Sequence, residues 1–282
     1  MKISKLFGRG RPVFSFEFFP PRSDAGYTSL FRTIAELKEL TPGFVSVTWG
    51  AGGSTRRKTV ELVERIQGEI GLTAMAHLTC VGSSRSELGE TLDRLEAAGI
   101  ENVLALGGDR PDGYTPPQDA LSYASELAGF IRSRWSFCLG GACYPETHPR
   151  AVSREDDLRR LGEKVAAGID FLITQLFFDN RDYFAFVDSA RQLGITAPIV
   201  PGVMPVVSAA SVRRMAELSG ARIPPELSAQ LDAAGEDAER TLEIGVRWAT
   251  RQCRDLLAQG APGIHFYTLN RSSATRDICS AL

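Results

Sequence analysis

Glu17 stands inside Val13-Phe14-Ser15-Phe16-Glu17-Phe18-Phe19-Pro20-Pro21, a run of aromatic and β-branched residues that reads as a short strand closed by Pro-Pro. A carboxylate in such company costs free energy to bury as a charge, so it is expected to hold a proton and serve as a general acid near neutrality. An exposed acid at a frayed strand end fits this stretch alone equally well. With a side-chain period of two, Phe14, Phe16 and Phe18 point one way, and Val13, Ser15, Glu17 and Phe19 the other.

Polar residues close other apolar runs in the same manner: Thr48, His77, Asp109, Tyr144, Gln175 and Asn270. Read in phase with Ala105 and Gly107, Asp109 is expected to face inward beside Glu17. Two inward carboxylates in different surroundings would take different protonation states and different tasks. By itself Asp109, before Arg110-Pro111, reads as well as a turn residue or helix cap. Gln175 carries a neutral amide that donates and accepts at once, which suits the rim of a heterocycle or a tie within the scaffold. His77 alone is more commonly a satisfied core histidine, His265 beside Phe266 and Tyr267 reads as core, and His148 reads as a loop surface residue. Gly50-Ala51-Gly52-Gly53 before Ser54-Thr55 suits either a phosphate cradle at a helix N-terminus or a plain turn. Asp156/Asp157, Arg159/Arg160 and Glu163/Lys164 read as a mostly solvated helix face.

Strand-like runs that would position these residues recur every 25–35 residues, each followed by a helical pattern. The strands are expected at 13–19, 44–49, 72–79, 102–109, 137–144, 171–178, 199–204 and 263–270. The helices are expected near 24–40, 54–70, 85–99 (opened by a Ser84/Glu87 capping box), 120–134, 154–167, 181–193, 209–219 and 274–281, with an extra helical stretch over 225–259. This alternation predicts an α/β chain folded as a single (β/α)8 TIM barrel, one catalytic domain over 1–282, with extra helix before the last strand. No Gly-x-Gly-x-x-Gly turn follows any strand, so the dinucleotide fingerprint of a doubly wound sheet is missing. In such barrels the chemistry sits at the C-terminal ends of the strands, where these polar residues fall.

Thirty-two Lys and Arg against 34 Asp and Glu give a net charge of −2, which points to neither a nucleic-acid nor a membrane partner. The five cysteines (Cys80, Cys138, Cys143, Cys253, Cys279) form no Cys-x-x-Cys pair, so reduced, mostly buried thiols are expected and no metal site. The N-terminus has no signal-peptide core and no segment is long enough to span a membrane, so a cytoplasmic location is expected.

The chain resembles the 5,10-methylenetetrahydrofolate reductase family, in its bacterial barrel-only form. The resemblance rests on Phe16 to Pro21, Val45 to Arg56, Ala76-His77-Leu78-Thr79-Cys80, Leu104 to Asp109, Tyr144-Pro145-Glu146, Thr174 to Asp179, Pro201-Gly202 and His265 to Arg271. It implies FAD held on the barrel, with reducing equivalents from NADH or NADPH passing through the flavin to convert 5,10-methylenetetrahydrofolate to 5-methyltetrahydrofolate, as in one-carbon metabolism and methionine biosynthesis. It assigns Glu17 as the acid, Asp109 to the cationic iminium or the pterin, and Gln175 to folate and nicotinamide in turn, with Arg271 on the substrate. It places Thr48, His77, Leu106, Gly107, Gly108, Asp109, Ala124, Tyr144, His148, Ala151, Asp157, Arg160 and Lys164 around FAD. Departures from the family pattern fall at Gly107, Arg160, Glu163 and Ala209. They leave room for altered flavin or folate binding, or for a protein electron donor. The resemblance also implies a homo-oligomer without the regulatory domain of eukaryotic members. The rival readings are a flavin-free folate-binding one-carbon transferase and a catalytically silent barrel subunit.

Overall fold

The computed structural model describes residues 1–49, 53–109 and 113–282, without the side chains of 53–56. The proposed phosphate cradle at Gly50-Ala51-Gly52 and the Arg110-Pro111 turn therefore lie outside the described residues.

Strand and helix alternate as the sequence pattern requires. The first half runs β1 (Val13–Phe18), α1 (Asp24–Lys38), β2 (Phe44–Val47), α2 (Gly53–Arg65, continued by a π turn over Ile66–Ile70), β3 (Ala74–Thr79), α3 (Arg85–Ala97), β4 (Asn102–Leu106), α4 (Ala124–Arg132) and β5 (Cys138–Cys143). The second half runs α5 (Arg154–Ala166), β6 (Phe171–Thr174), α6 (Asn180–Gln192), β7 (Ile199–Val200), β8 (Gly202–Val203), α7 (Ala209–Ser219), α8 (Pro225–Ala234), α9 (Ala238–Ala258), β9 (Gly263–Tyr267) and α10 (Ser273–Ser280). Side-chain oxygens of Ser23, Ser84, Ser153, Asp179 and Ser208 cap helix N-termini, and Ser84 with Glu87 forms the expected capping box. No described helix is long and apolar enough to cross a membrane.

The strands are parallel, in the order β7-β6-β5-β4-β3-β2-β1-β9-β8. The two ends of that order, β7 and β8, are separated in the chain by Pro201 alone, so one segment pairs with β6 on one side and β9 on the other and closes the ring. Eight strands were expected, and nine short ones arise because proline has no N–H to donate at that point. The chain compensates locally. His265 N donates to Pro201 O at 2.9 Å, and Gly202 N donates to Thr174 Oγ1 at 2.9 Å. Gly202 is also a steric necessity, since a Cβ there would stand 2.4 Å from Thr174 O and 2.6 Å from the Tyr267 ring. β6 ends at Thr174 rather than 178, because Leu176 and Phe178 leave the sheet to pack under α7–α9. The long helical stretch expected over 225–259 is two helices, divided at Gly235.

Alternation sorts the apolar residues into two layers. Phe16 and Phe18 pack outward with Leu30, Ile34 and Leu37 of α1 and their equivalents around the ring. Val13, Phe44, Met75, Leu104, Cys138, Phe171, Ile173 and Val200 fill the interior, and the short 3-10 turn at Ile3–Leu6 plugs it from below. Asn102 fastens that plug. Its amide oxygen accepts from Ile3 N at 2.8 Å, and its nitrogen donates to Met1 O at 3.0 Å and Ala74 O at 3.3 Å. With the floor sealed, open space remains only toward the opposite, C-terminal ends of the strands.

Asn102→Ala would orphan buried backbone groups at the floor, each costing about 1–3 kcal/mol. We expect a loss of about 3 kcal/mol in urea unfolding, with no change in any ligand affinity at the far end of the barrel.

Candidate active site

Parallel pairing of β1 with β9 sets Ser15 beside His265 and Glu17 beside Tyr267. These residues face the barrel interior, as the two-residue period of β1 predicts. Glu17 Oε2 lies 3.5 Å from His77 Nε2 and 3.6 Å from His265 Nε2, with the Glu17 side chain only 19% exposed. Those separations exceed a good hydrogen bond, and neither Nε2 has a hydrogen-bond partner. Ser15 Oγ sits 2.8 Å from His265 Nδ1 and orients that ring, which also stacks on Phe44. Tyr267 Oη donates to Thr174 O at 2.6 Å, tying β9 to β6 across the ring. Burial lowers the pKa of His77 to about 4 against the opposing pull of Glu17. At neutral pH His77 therefore meets the Glu17 carboxyl as an uncharged ring.

Above this cluster opens a cavity of about 970 Å³, within the range of small-molecule sites. Thr48, Trp49 and His77 line its inner end, Leu106 to Asp109 its floor, Tyr144, His148 and Ala151 one wall, and Ala124, Asp157, Arg160 and Lys164 its outer end. Every position that the family resemblance places around FAD thus lines this one cavity. Tyr144 and His148 meet edge to face at 4.4 Å, and His148 N donates to Asp157 Oδ2 at 3.0 Å. Burial, reinforced by Asp109 and Asp157, pushes the Tyr144 phenol up to about 12. Burial lowers the pKa of the Lys164 amine, which donates to Ala142 O at 2.7 Å.

The placements of Asp109 and of the α5 residues differ from expectation. Asp109 is exposed on the loop past β4, which stops at Leu106, and Ala105 packs outward among the helices. Strand alternation therefore does not carry Asp109 inward beside Glu17, although it does line the cavity. Gln175 Oε1 accepts from Leu176 N at 2.9 Å, so the group left to a ligand is chiefly its NH2. Arg271 is exposed and lies outside the cavity wall. The solvated-face reading of α5 holds for Arg159, which pairs with Asp156 and Glu163, and fails for Asp157 and Lys164. His265 is buried as expected, yet it belongs to the site. The signal was its phase, since His265 and Tyr267 alternate with the outward Ile264 and Phe266. Trp49 was not singled out, and its Nε1 is a buried donor without a partner.

The cavity suits FAD. His77 and Trp49 line it, each with a buried ring nitrogen that has no protein hydrogen-bond partner. Nothing lies within 4 Å of a Cβ built on Gly107, so the floor there admits a ligand against bare backbone. The lining also carries two cations, Arg160, held by Asp156 at 2.9 Å and near the Tyr123 ring, and Lys164, whose amine is buried against Ala142 O, alongside Asp156, Asp157 and Glu163.

The family model described as Methylenetetrahydrofolate reductase matches residues 2–282. Methylenetetrahydrofolate reductase (NADH) 1 of Arabidopsis thaliana is 38% identical over 95% of this chain and 48% of its own length. The 5,10-methylenetetrahydrofolate reductase of Salmonella typhimurium is 37% identical over 97% of this chain and 92% of its own. The chain thus spans about half the length of the plant relatives and nearly all of the bacterial one. Among solved structures, a Clostridium thermocellum protein that binds two copies of 5-methyl-5,6,7,8-tetrahydrofolic acid shares the fold, with a TM-score of 0.65, 15% identity, and 98% and 95% of the two chains covered.

The depressed pKa of His77 has a sign that can be checked. Unfolded histidine takes up a proton near pH 6.5, whereas folded His77 resists until about pH 4. Its stabilising contribution is therefore complete above pH 6.5 and is lost as pH falls to about 4, by about 3 kcal/mol. In denaturant titrations across that window, the stability gap between the native protein and His77→Asn should narrow by that amount.

Proposed function

The chain belongs to the methylenetetrahydrofolate reductase family, and from that premise we propose that it reduces 5,10-methylenetetrahydrofolate to 5-methyltetrahydrofolate with FAD as resident cofactor and NADH or NADPH as hydride donor. The observation that carries this reading is the mostly buried Glu17 carboxyl, flanked by His77 and His265, with His77 also lining a cavity of about 970 Å³. The NADH in the plant relative's name supports NADH as the donor.

FAD, when bound, would supply the hydride relay between nicotinamide and the folate's one-carbon unit. The cavity residues that would hold it are Thr48, His77, Leu106 to Asp109 and Ala124, with Tyr144, His148, Ala151, Asp157, Arg160 and Lys164. Opening the folate's five-membered ring requires a proton on the departing amine nitrogen. Glu17 is the donor, its inward pose set by β1 pairing with β9 and β2 on either side. His77, uncharged at neutral pH, offers the carboxyl no cation to ion-pair with. The opened iminium is cationic, and Asp109, exposed to the cavity, provides the compensating charge. Gln175 presents its NH2 to the pterin or nicotinamide rim, and Arg271 offers a guanidinium to the folate carboxylates outside the cavity.

The purified protein should carry a yellow chromophore that heat releases as FAD. Glu17→Gln should retain reduction of that chromophore by pyridine nucleotide and lose folate reduction by at least about 100-fold. Stopped-flow measurement of the two half-reactions checks this, and an unchanged folate half-reaction in the variant would remove Glu17 from the role.

A further inference from the structure

The main-chain ladder between β1 and β9 ends at the pair Glu17 and Tyr267. Beyond that point the two chains stay together through side chains. Thr268 Oγ1 donates to Glu17 O at 2.6 Å and accepts from Asn270 N at 3.2 Å. The Asn270 amide then grips Phe19 from both sides. Phe19 N donates to Asn270 Oδ1 at 3.0 Å, and Asn270 Nδ2 donates to Phe19 O at 2.8 Å. Thr33 Oγ1 of α1 donates to Asn270 O at 3.4 Å and secures the turn from behind.

This turn is conformationally costly. Leu269 and Asn270 both take left-handed backbone, at φ 51 and 57, a region that costs leucine free energy and that asparagine tolerates best after glycine. Glycine would relieve the strain at 270 but could not hold Phe19. Aspartate would reach the same place but, when ionised, has no N–H for Phe19 O. Glutamine has one methylene more than the two-point contact spans. Asparagine alone combines tolerance of this backbone with a short amide that donates and accepts.

We propose that Asn270 is a positioning residue for the catalytic carboxyl, its reciprocal clamp on Phe19 fixing the tip of β1 and hence Glu17 against His77 and His265. Glu17 is the last ladder residue on the β9 side and two residues from the clamp, so without it the strand tip is free to fray. The opposite edge of β1 is held by Thr48 N donating to Phe18 O at 2.9 Å, which leaves the β9 side dependent on Thr268 and Asn270. Misplacing a reacting group by about an ångström costs on the order of 100-fold in rate. The proposal rests on the reading of Glu17 as the proton donor.

The test uses Asn270→Asp, Asn270→Gly and Thr268→Val, with Glu17→Gln as reference. Hydrogen exchange at the Phe19 amide reads the clamp without reference to activity, and the half-reactions of the flavin-loaded protein read the chemistry. In Asn270→Gly, which keeps neither hydrogen bond, Phe19 should exchange faster. In Asn270→Asp the carboxylate still accepts from Phe19 N, and only the grip on Phe19 O is lost. In both, the folate half-reaction should slow by about 10- to 100-fold, while reduction by pyridine nucleotide stays within about twofold. Thr268→Val should slow the folate half-reaction in the same direction, and it carries the test if a variant at 270 fails to fold. Native folate rates in the 268 and 270 variants, with Glu17→Gln inactive, would overturn the positioning role alone. An active Glu17→Gln would instead overturn the assignment of the acid, and the positioning role with it.

Discussion

A closed ring of parallel strands has one interior, and side chains must fill it or leave a hole that costs stability. This chain fills it unevenly. From the floor upward the interior holds the 3-10 plug, then Phe44, Met75, Leu104, Cys138, Phe171 and Val200, then a layer in which Ser15, Glu17, His77 and His265 replace apolar groups. The closing segment around Pro201 makes that upper layer possible. It joins β6 to β9 through Thr174, Gly202 and Tyr267, and so holds the polar layer rigid. If the ring did not close there, β9 with His265 would lie at the open edge of a sheet, where its geometry would be loose.

The energetic character of the polar layer follows from its burial. A group that loses water without gaining a partner shifts toward its neutral form, and His77 does so strongly. The Nε2 atoms of His77 and His265 beside Glu17, and the indole N–H of Trp49, have no protein hydrogen-bond partners. Buried polar groups in folded proteins are rarely left so, which marks these as atoms kept for a ligand, a substrate or a proton in transit. The neighbouring walls behave differently. Tyr144, His148, Asp157 and Lys164 are knitted to one another or to backbone, and form a stiff surface on which a long cofactor can lie.

The local features of this design were legible in the sequence. The alternation of Phe14, Phe16 and Phe18 against Ser15 and Glu17 is a two-residue period, and the interior placement of Glu17 follows from it directly. The helix starts were legible for the same reason, since Ser84 and Glu87 meet within one turn. What escaped was long-range. His265 pairs with Ser15 across 250 positions, so its phase on β9 could be read but its partner could not. Asp109 was misplaced because strand alternation was carried past Leu106, where the ladder stops and the loop sets its own geometry. β6 was drawn too long because Leu176 and Phe178 look like strand residues yet serve a separate cluster under α7–α9.

The central claim is that the proton used in the folate step is carried by the Glu17 carboxyl. Infrared difference spectroscopy during folate-driven reoxidation of the reduced protein tests it most directly. The account predicts a protonated-carboxyl band that changes with the reaction in the native protein and is missing from Glu17→Gln. The same band surviving in that variant, or no carboxyl signal in the native protein, would contradict it.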